Sequence, residues 1–148
     1  MKFKVYKNEK QLRNEEFYLN DQKIILIFHG LFGRAKNWHS IALRISSINT
    51  GLFVVFDLRN HGENEPSTEI SYSIMVNDVY EFIKEKNINK FSIIGHSMGG
   101  KLGMLFTLLY PQFLFLLLDI QLGQYLQQII VLQILDKGAK ITYLIYHP

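Results

Sequence analysis

The chain has 148 residues, 48% of them hydrophobic, 14% aromatic and 20% charged, with a formal charge of +3. A chain of that length buries about two-thirds of the surface its unfolded form exposes, so it holds one real core and is not disordered. Its lysines and arginines are interspersed with acids rather than gathered in a stripe, which argues against nucleic acid as a partner. There is no cysteine, and that removes disulfides, thiolate metal sites and a cysteine nucleophile together. The opening MKFKVYKNEK has no apolar core of a signal peptide, so the expected location is the cytoplasm. The apolar residues 102–118 are broken by Tyr110-Pro111-Gln112 and too short for a comfortable membrane span.

In chain order, the run Lys23-Ile24-Ile25-Leu26-Ile27-Phe28 predicts a strand buried on both faces and ending at His29-Gly30. Trp38, Ile41, Ala42 and Ile45 fall at helical spacing and predict a helix over 38–46. A second buried strand over 52–56 ends at Asp57. Met75, Val79, Phe82 and Ile83 predict a helix over 74–86, with Ser73 as its cap and Asn87 at its end. A third strand over 91–94 ends at Gly95. Beyond Gly99-Gly100 the sequence predicts a buried helix over 101–109, a fourth parallel strand over 114–119, a helix over 125–135 and an apolar tail over 141–146 that suits a strand. Strands alternating with amphipathic segments make an α/β domain on a mostly parallel sheet. Without repeats or linkers, residues 1–148 read as a single domain.

In such sheets the chemistry gathers at the carboxyl ends of the strands. The third strand is followed by Gly95-His96-Ser97-Met98-Gly99-Gly100, a Gly-x-Ser-x-Gly sequence between strand and helix. That placement suits a nucleophile elbow, with Ser97 on a strained turn and glycines where a Cβ would clash. The first strand leads into His29-Gly30-Leu31-Phe32-Gly33, whose backbone N–H groups can face an anion. The Leu31 and Met98 N–H groups are the candidate oxyanion donors. Asp57-Leu58-Arg59-Asn60-His61-Gly62 reads as a polar loop in which Arg59 pairs with Asp57. Phe32, Trp38 and Met98 point to an apolar acyl pocket.

Together, Phe28-His29-Gly30-Leu31-Phe32-Gly33, Asn37-Trp38, Asp57 to Gly62 and Gly95 to Lys101 resemble the small single-domain esterases of the α/β-hydrolase superfamily. The resemblance runs from about Lys23 to Asp119. It implies hydrolysis of a small-molecule carboxylic ester through a Ser97 acyl-enzyme, with no cofactor or metal. Thioesterases, peroxidases and C–C bond hydrolases share the elbow and differ in the pocket. The resemblance also implies an acid and then a histidine after Ser97. Asp119 resembles the acid, although the stretch from Pro111 to Asp119 is about two residues shorter than the family pattern. No residue matches the base. His29 and His96 belong to the two backbone motifs, His39 and His61 read as local structural groups, and His147 has no assigned role. The expectation is therefore an incomplete domain whose fourth strand leaves an exposed edge. It is either a truncated product, weakly active or inactive, or a non-catalytic half that self-associates or is completed by a separately encoded half-domain bearing the histidine.

Overall fold

Residues 1–13, 23–122, 127–135 and 138–146 are described by a computed structural model, with side chains described as far as residue 113. The charged opening of the chain folds as a hairpin. Its strands are β1 (Phe3–Lys7) and β2 (Lys10–Leu12), joined by Asn8 and Glu9 with φ of 49° and 59°. Two consecutive positive φ values are what a two-residue hairpin needs to match strand twist. The strand shows no clean alternation, since Val5 and Tyr6 are both buried between the half-buried Lys4 and Lys7.

The central elements follow the predicted order: β3 (Ile24–Phe28), α1 (His39–Ile48) after a short 3₁₀ turn at Ala35–Trp38, β4 (Leu52–Phe56), α2 (Tyr72–Glu85), β5 (Phe91–His96) and α3 (Met98–Leu109). After a 3₁₀ turn at Pro111–Phe113 come β6 (Leu114–Leu122), β7 (Gln127–Leu135) and β8 (Gly138–Tyr146). The sheet order is β2-β1-β4-β3-β5-β6-β7-β8. The four middle strands are parallel, and the pairs at either end are antiparallel.

Successive residues of a strand face opposite sides, so one sheet builds two cores. Leu26, Phe28, Val54, Phe56, Phe91 and Ile93 pack under α2 and α3. Ile27, Phe53 and Val55 pack with Trp38 and Ala42 on the α1 side. The first core is denser in aromatics: Phe106 lies 5.7 Å from Phe91 and 5.1 Å from Tyr110. Each fully buried Phe there is worth about 2–3 kcal/mol relative to exposure.

Helix α2 shows why its ends fall where they do. Ser71, not Ser73, is the cap: its backbone is extended and its hydroxyl accepts from the Ile74 N–H at 3.2 Å. At the other end Asn87 adopts φ 53°, the Ile88 N–H reaches the Ile83 carbonyl at 2.8 Å and the Asn87 N–H reaches Lys84 at 3.1 Å. This double bond satisfies carbonyls that the helix leaves open.

Two further expectations are corrected beyond α3. The segment expected to be a helix over 125–135 is strand β7, paired antiparallel with both β6 and β8. Its Ile129-Ile130-Val131 run favours a pleated surface, and two neighbouring strands satisfy its backbone. The fourth parallel strand is therefore not the sheet edge, because β7 covers it; the edge passes to β8. The apolar stretch taken as too short for a membrane is split between α3 and β6, and no helix among the described residues is long and apolar enough to cross one.

Candidate active site

Strand order reverses around β3: β4 lies on one side of it and β5 on the other. The connections leaving β3 and β5 pass to opposite faces, toward α1 and α3 respectively, which opens a crevice at the carboxyl ends. Phe28 and Gly95 are register partners, so the two strands end level. Leu31 comes three residues after one and Ser97 two residues after the other.

Ser97 joins β5 directly to α3. Its φ is 53° and its ψ −109°, a conformation that costs a residue with a Cβ about 1–3 kcal/mol. The side chain is exposed and makes no capping bond to the helix start. The turn is held by contact on both sides. A Cβ at Gly95 would lie 2.5–2.7 Å from the backbone of Gly99 and Gly100. A Cβ at Gly99 would meet the Phe28 carbonyl and lie 2.7 Å from the His29 oxygen. These positions admit only glycine, and they press α3 against the end of β3. Met98 opens the helix, where an N–H has no partner within the helix and sits at the positive end of its dipole.

The Leu31 turn is closed by the Gly33 N–H donating to the Gly30 carbonyl at 2.9 Å. Phe32 sits at φ 60° and is 89% exposed, and Leu31 beside it is also exposed. A bulky residue in that region of φ is rare. The turn packs on the elbow: a Cβ at Gly30 would come within 2.6 Å of His96 Nδ1.

His29 fastens this turn from beneath. It is buried, with Nδ1 2.8 Å from the Gly30 carbonyl and Nε2 3.1 Å from the Leu58 nitrogen. An amide N–H donates and a carbonyl accepts, so the ring must carry its proton on Nδ1 and offer Nε2 as acceptor. Burial is the main cause holding its pKa below the usual histidine value. The Gly30 carbonyl and Asp57 oppose that shift, and His61 and His96 add to it.

The loop after β4 is organised differently from its expected pairing. Asp57 is buried and does not pair with Arg59; it accepts from the Ala35 N–H at 2.6 Å and the Glu63 N–H at 3.1 Å. Arg59 instead grips Asp78 of α2 through Nε at 2.8 Å and a terminal nitrogen at 2.7 Å. The buried carboxylate is better served by two fixed backbone donors, and the partly exposed guanidinium by a carboxylate of fork geometry. Gly62, at φ 61°, has no room for a Cβ beside the Asp57 carboxyl.

The three residues expected at an acyl pocket are differently placed. Trp38 belongs to the α1-side core and Met98 to the core under α2 and α3, leaving Phe32 alone at the surface. The remaining histidines have local partners or neighbours: His39 Nδ1 lies 3.1 Å from the Tyr6 hydroxyl, His61 Nδ1 2.7 Å from the Arg59 carbonyl, and His96 lies against Gly30. Among the described residues no imidazole is hydrogen-bonded to Ser97. The Asp119 backbone lies in β6, in register with Gly95, and the strand runs three residues past it. His147 lies outside the described residues. Among the described residues no group of histidines and carboxylates is arranged to hold a metal.

Residues 23–114, the stretch holding the Leu31 turn, the Asp57 loop and the Ser97 turn, match the family described as alpha/beta hydrolase fold. The chain belongs to that family. A solved α/β-hydrolase, a marine microorganism esterase, superposes with a TM-score of 0.67 at 33% identity, covering 79% of this chain and 40% of that one. The sn-1-specific diacylglycerol lipase ABHD11 of Danio rerio is 36% identical over 62% of this chain and 29% of its own length. Ethanol acetyltransferase 1 of Kluyveromyces lactis is 38% identical over 60% of this chain and 24% of its own length. The matched stretch is thus about a quarter to two-fifths of each relative. The family match spans β3, β4, β5 and the three helices, and the relatives this chain is similar to include proteins of esterase and lipase type.

Proposed function

We propose that the chain carries the nucleophile and oxyanion parts of a serine hydrolase acting on small carboxylic esters. The observation that carries this reading is the backbone of Ser97: exposed, at positive φ, between a strand and a helix, and held there by two glycines that tolerate no side chain. Ser97 Oγ attacks the ester carbonyl and its proton passes to a base. The tetrahedral oxyanion is held by the Leu31 and Met98 N–H groups, each worth about 3 kcal/mol of barrier. Collapse expels the alcohol, which takes the proton from the base, and water then hydrolyses the acyl-enzyme by the reverse sequence. Asp119 is the acid that would orient the base. That base is an imidazole from outside the described residues, supplied by further sequence or by a complementing half-domain. An alcohol in place of water would make the same acyl-enzyme an acyl-transfer catalyst, as the name of the yeast relative implies for that protein.

A fluorophosphonate probe tests the assignment: with free imidazole added as the missing base, the chain is expected to label at Ser97, and Ser97→Ala to abolish the label. Labelling that survives the substitution overturns the nucleophile. A second reading, a non-catalytic half-domain that works by association, is favoured by the lack of an imidazole at Ser97 among the described residues. It predicts no labelling even with imidazole added and a defined oligomer by size-exclusion chromatography with light scattering, whereas a stable monomer counts against it.

A further inference from the structure

The oxyanion turn and the loop after β4 are two separate connections, and one buried ring joins them. His29 reaches the Gly30 carbonyl through Nδ1 and the Leu58 N–H through Nε2. The same Gly30 carbonyl accepts the Gly33 N–H that closes the turn around Leu31. Gly33 is pressed against the ring, since a Cβ there would lie 3.0 Å from His29 Nδ1. A bond made at both ring nitrogens, one as donor and one as acceptor, exists only for the neutral ring in one tautomer.

We propose that His29 is a positioning residue for the oxyanion turn, and that its protonation in mildly acidic solution releases that turn. This rests on the reading of Leu31 as an oxyanion donor. A proton added to Nε2 faces the Leu58 N–H, so two donors meet across 3.1 Å in a site that is 1% exposed to water. The Leu58 N–H cannot accept that proton, so the ring must shift away from Leu58 to find an acceptor. Its other bond is to the Gly30 carbonyl, so the shift is passed to the turn that presents the Leu31 N–H.

The charged and titratable groups facing the ring are few. Asp57 and His61 come from the loop after β4, with the His61 ring centroid 5.0 Å away, and His96 comes from β5. Asp57 favours the imidazolium, and the two other histidines oppose it. Burial outweighs the attraction and places the transition below the ordinary histidine range of about 6.5. Ser97 would thus lose its oxyanion site on the acid side independently of the protonation of any base.

The test is nitrogen-15 NMR of the full chain from neutral to acid pH, reading the ring nitrogens of His29, His61 and His96 together with the Leu31 and Leu58 amides. The expected result is a His29 ring protonated at Nδ1 at neutral pH. Its titration midpoint should lie below about 6.5, and both amides should shift with that same midpoint. A ring protonated at Nε2, a Leu31 amide that stays flat while His29 titrates, or one that follows His61 or His96 instead overturns the proposal. So does loss of all amide dispersion in one step before His29 titrates, which would make the ring a plain structural group. The measurement reads no activity: a Ser97 that fails to label leaves it standing, and a reactive Ser97 does not rescue it.

Discussion

Replacing Ser97 with glycine is expected to make the fold more stable while removing the proposed nucleophile. The magnitude follows from the backbone. At φ 53° and ψ −109° the Cβ of Ser97 is strained by about 1–3 kcal/mol. Glycine removes that strain and costs about 0.5–1 kcal/mol in unfolded-chain freedom. Removal of the hydroxyl adds little, because the side chain is exposed and makes no bond to the helix start. The net gain is about 1 kcal/mol. Ser97→Ala is the control, since it keeps the Cβ and the strain and should stay within about 0.5 kcal/mol of wild type. Urea denaturation followed by far-ultraviolet circular dichroism reads both; with a slope of about 2 kcal/mol per molar, the glycine variant should unfold roughly 0.5 M later. A glycine variant no more stable than the alanine variant would refute the view that this turn stores strain.

Other outcomes follow from the loops around it. Asp57→Asn leaves one good acceptor for two backbone donors, so either Ala35 or Glu63 faces an amide NH₂; a loss of about 2–4 kcal/mol in the same urea assay is expected. Gly99→Ala drives a Cβ into the Phe28 carbonyl, where no flexible side chain can yield, and should cost about 3 kcal/mol, or roughly 6–12 °C in a thermal melt. For His29, whose folded pKa lies below its unfolded value, the unfolded chain binds more protons between the two. Its stabilisation is complete above about pH 6.5 and is lost as pH falls from there through the folded midpoint. Urea midpoints that stay level from pH 7.5 to 5.5 would contradict this.

The sequence was most readable where composition and position agreed. β3, β4 and β5 are apolar runs that stop at a motif; β4 is buried throughout, and β3 and β5 have no exposed residue to set up a competing period. β7 was misread because Gln, Leu and Ile at close spacing satisfy helix and strand alike; the partners that decide it are β6 and β8. The hairpin β1–β2 was missed because Glu9 stands where glycine would announce the turn. At the proposed site, the tight turns that carry Leu31 and Ser97 could be found from glycine spacing, because the physical need there is room for backbone. Pairing between side chains was less legible: Asp57 and Arg59 are neighbours in sequence, yet the loop turns them toward different elements.

The pairing of β3 with β5 joins residues 67 positions apart, Ile25 with Ser92, the widest span of any neighbouring strands in the sheet. Closing so large a loop must precede the contacts that reward it. The level strand ends that set Ser97 beside the Leu31 turn therefore belong to the slowest step of assembly. On a ribosome, the hairpin and the β3–β4 pair can form as soon as they emerge, while the crevice has to wait for β5. Order at the Ser97 turn would then report closure of the crevice more faithfully than helix content, which α1 and α2 supply earlier.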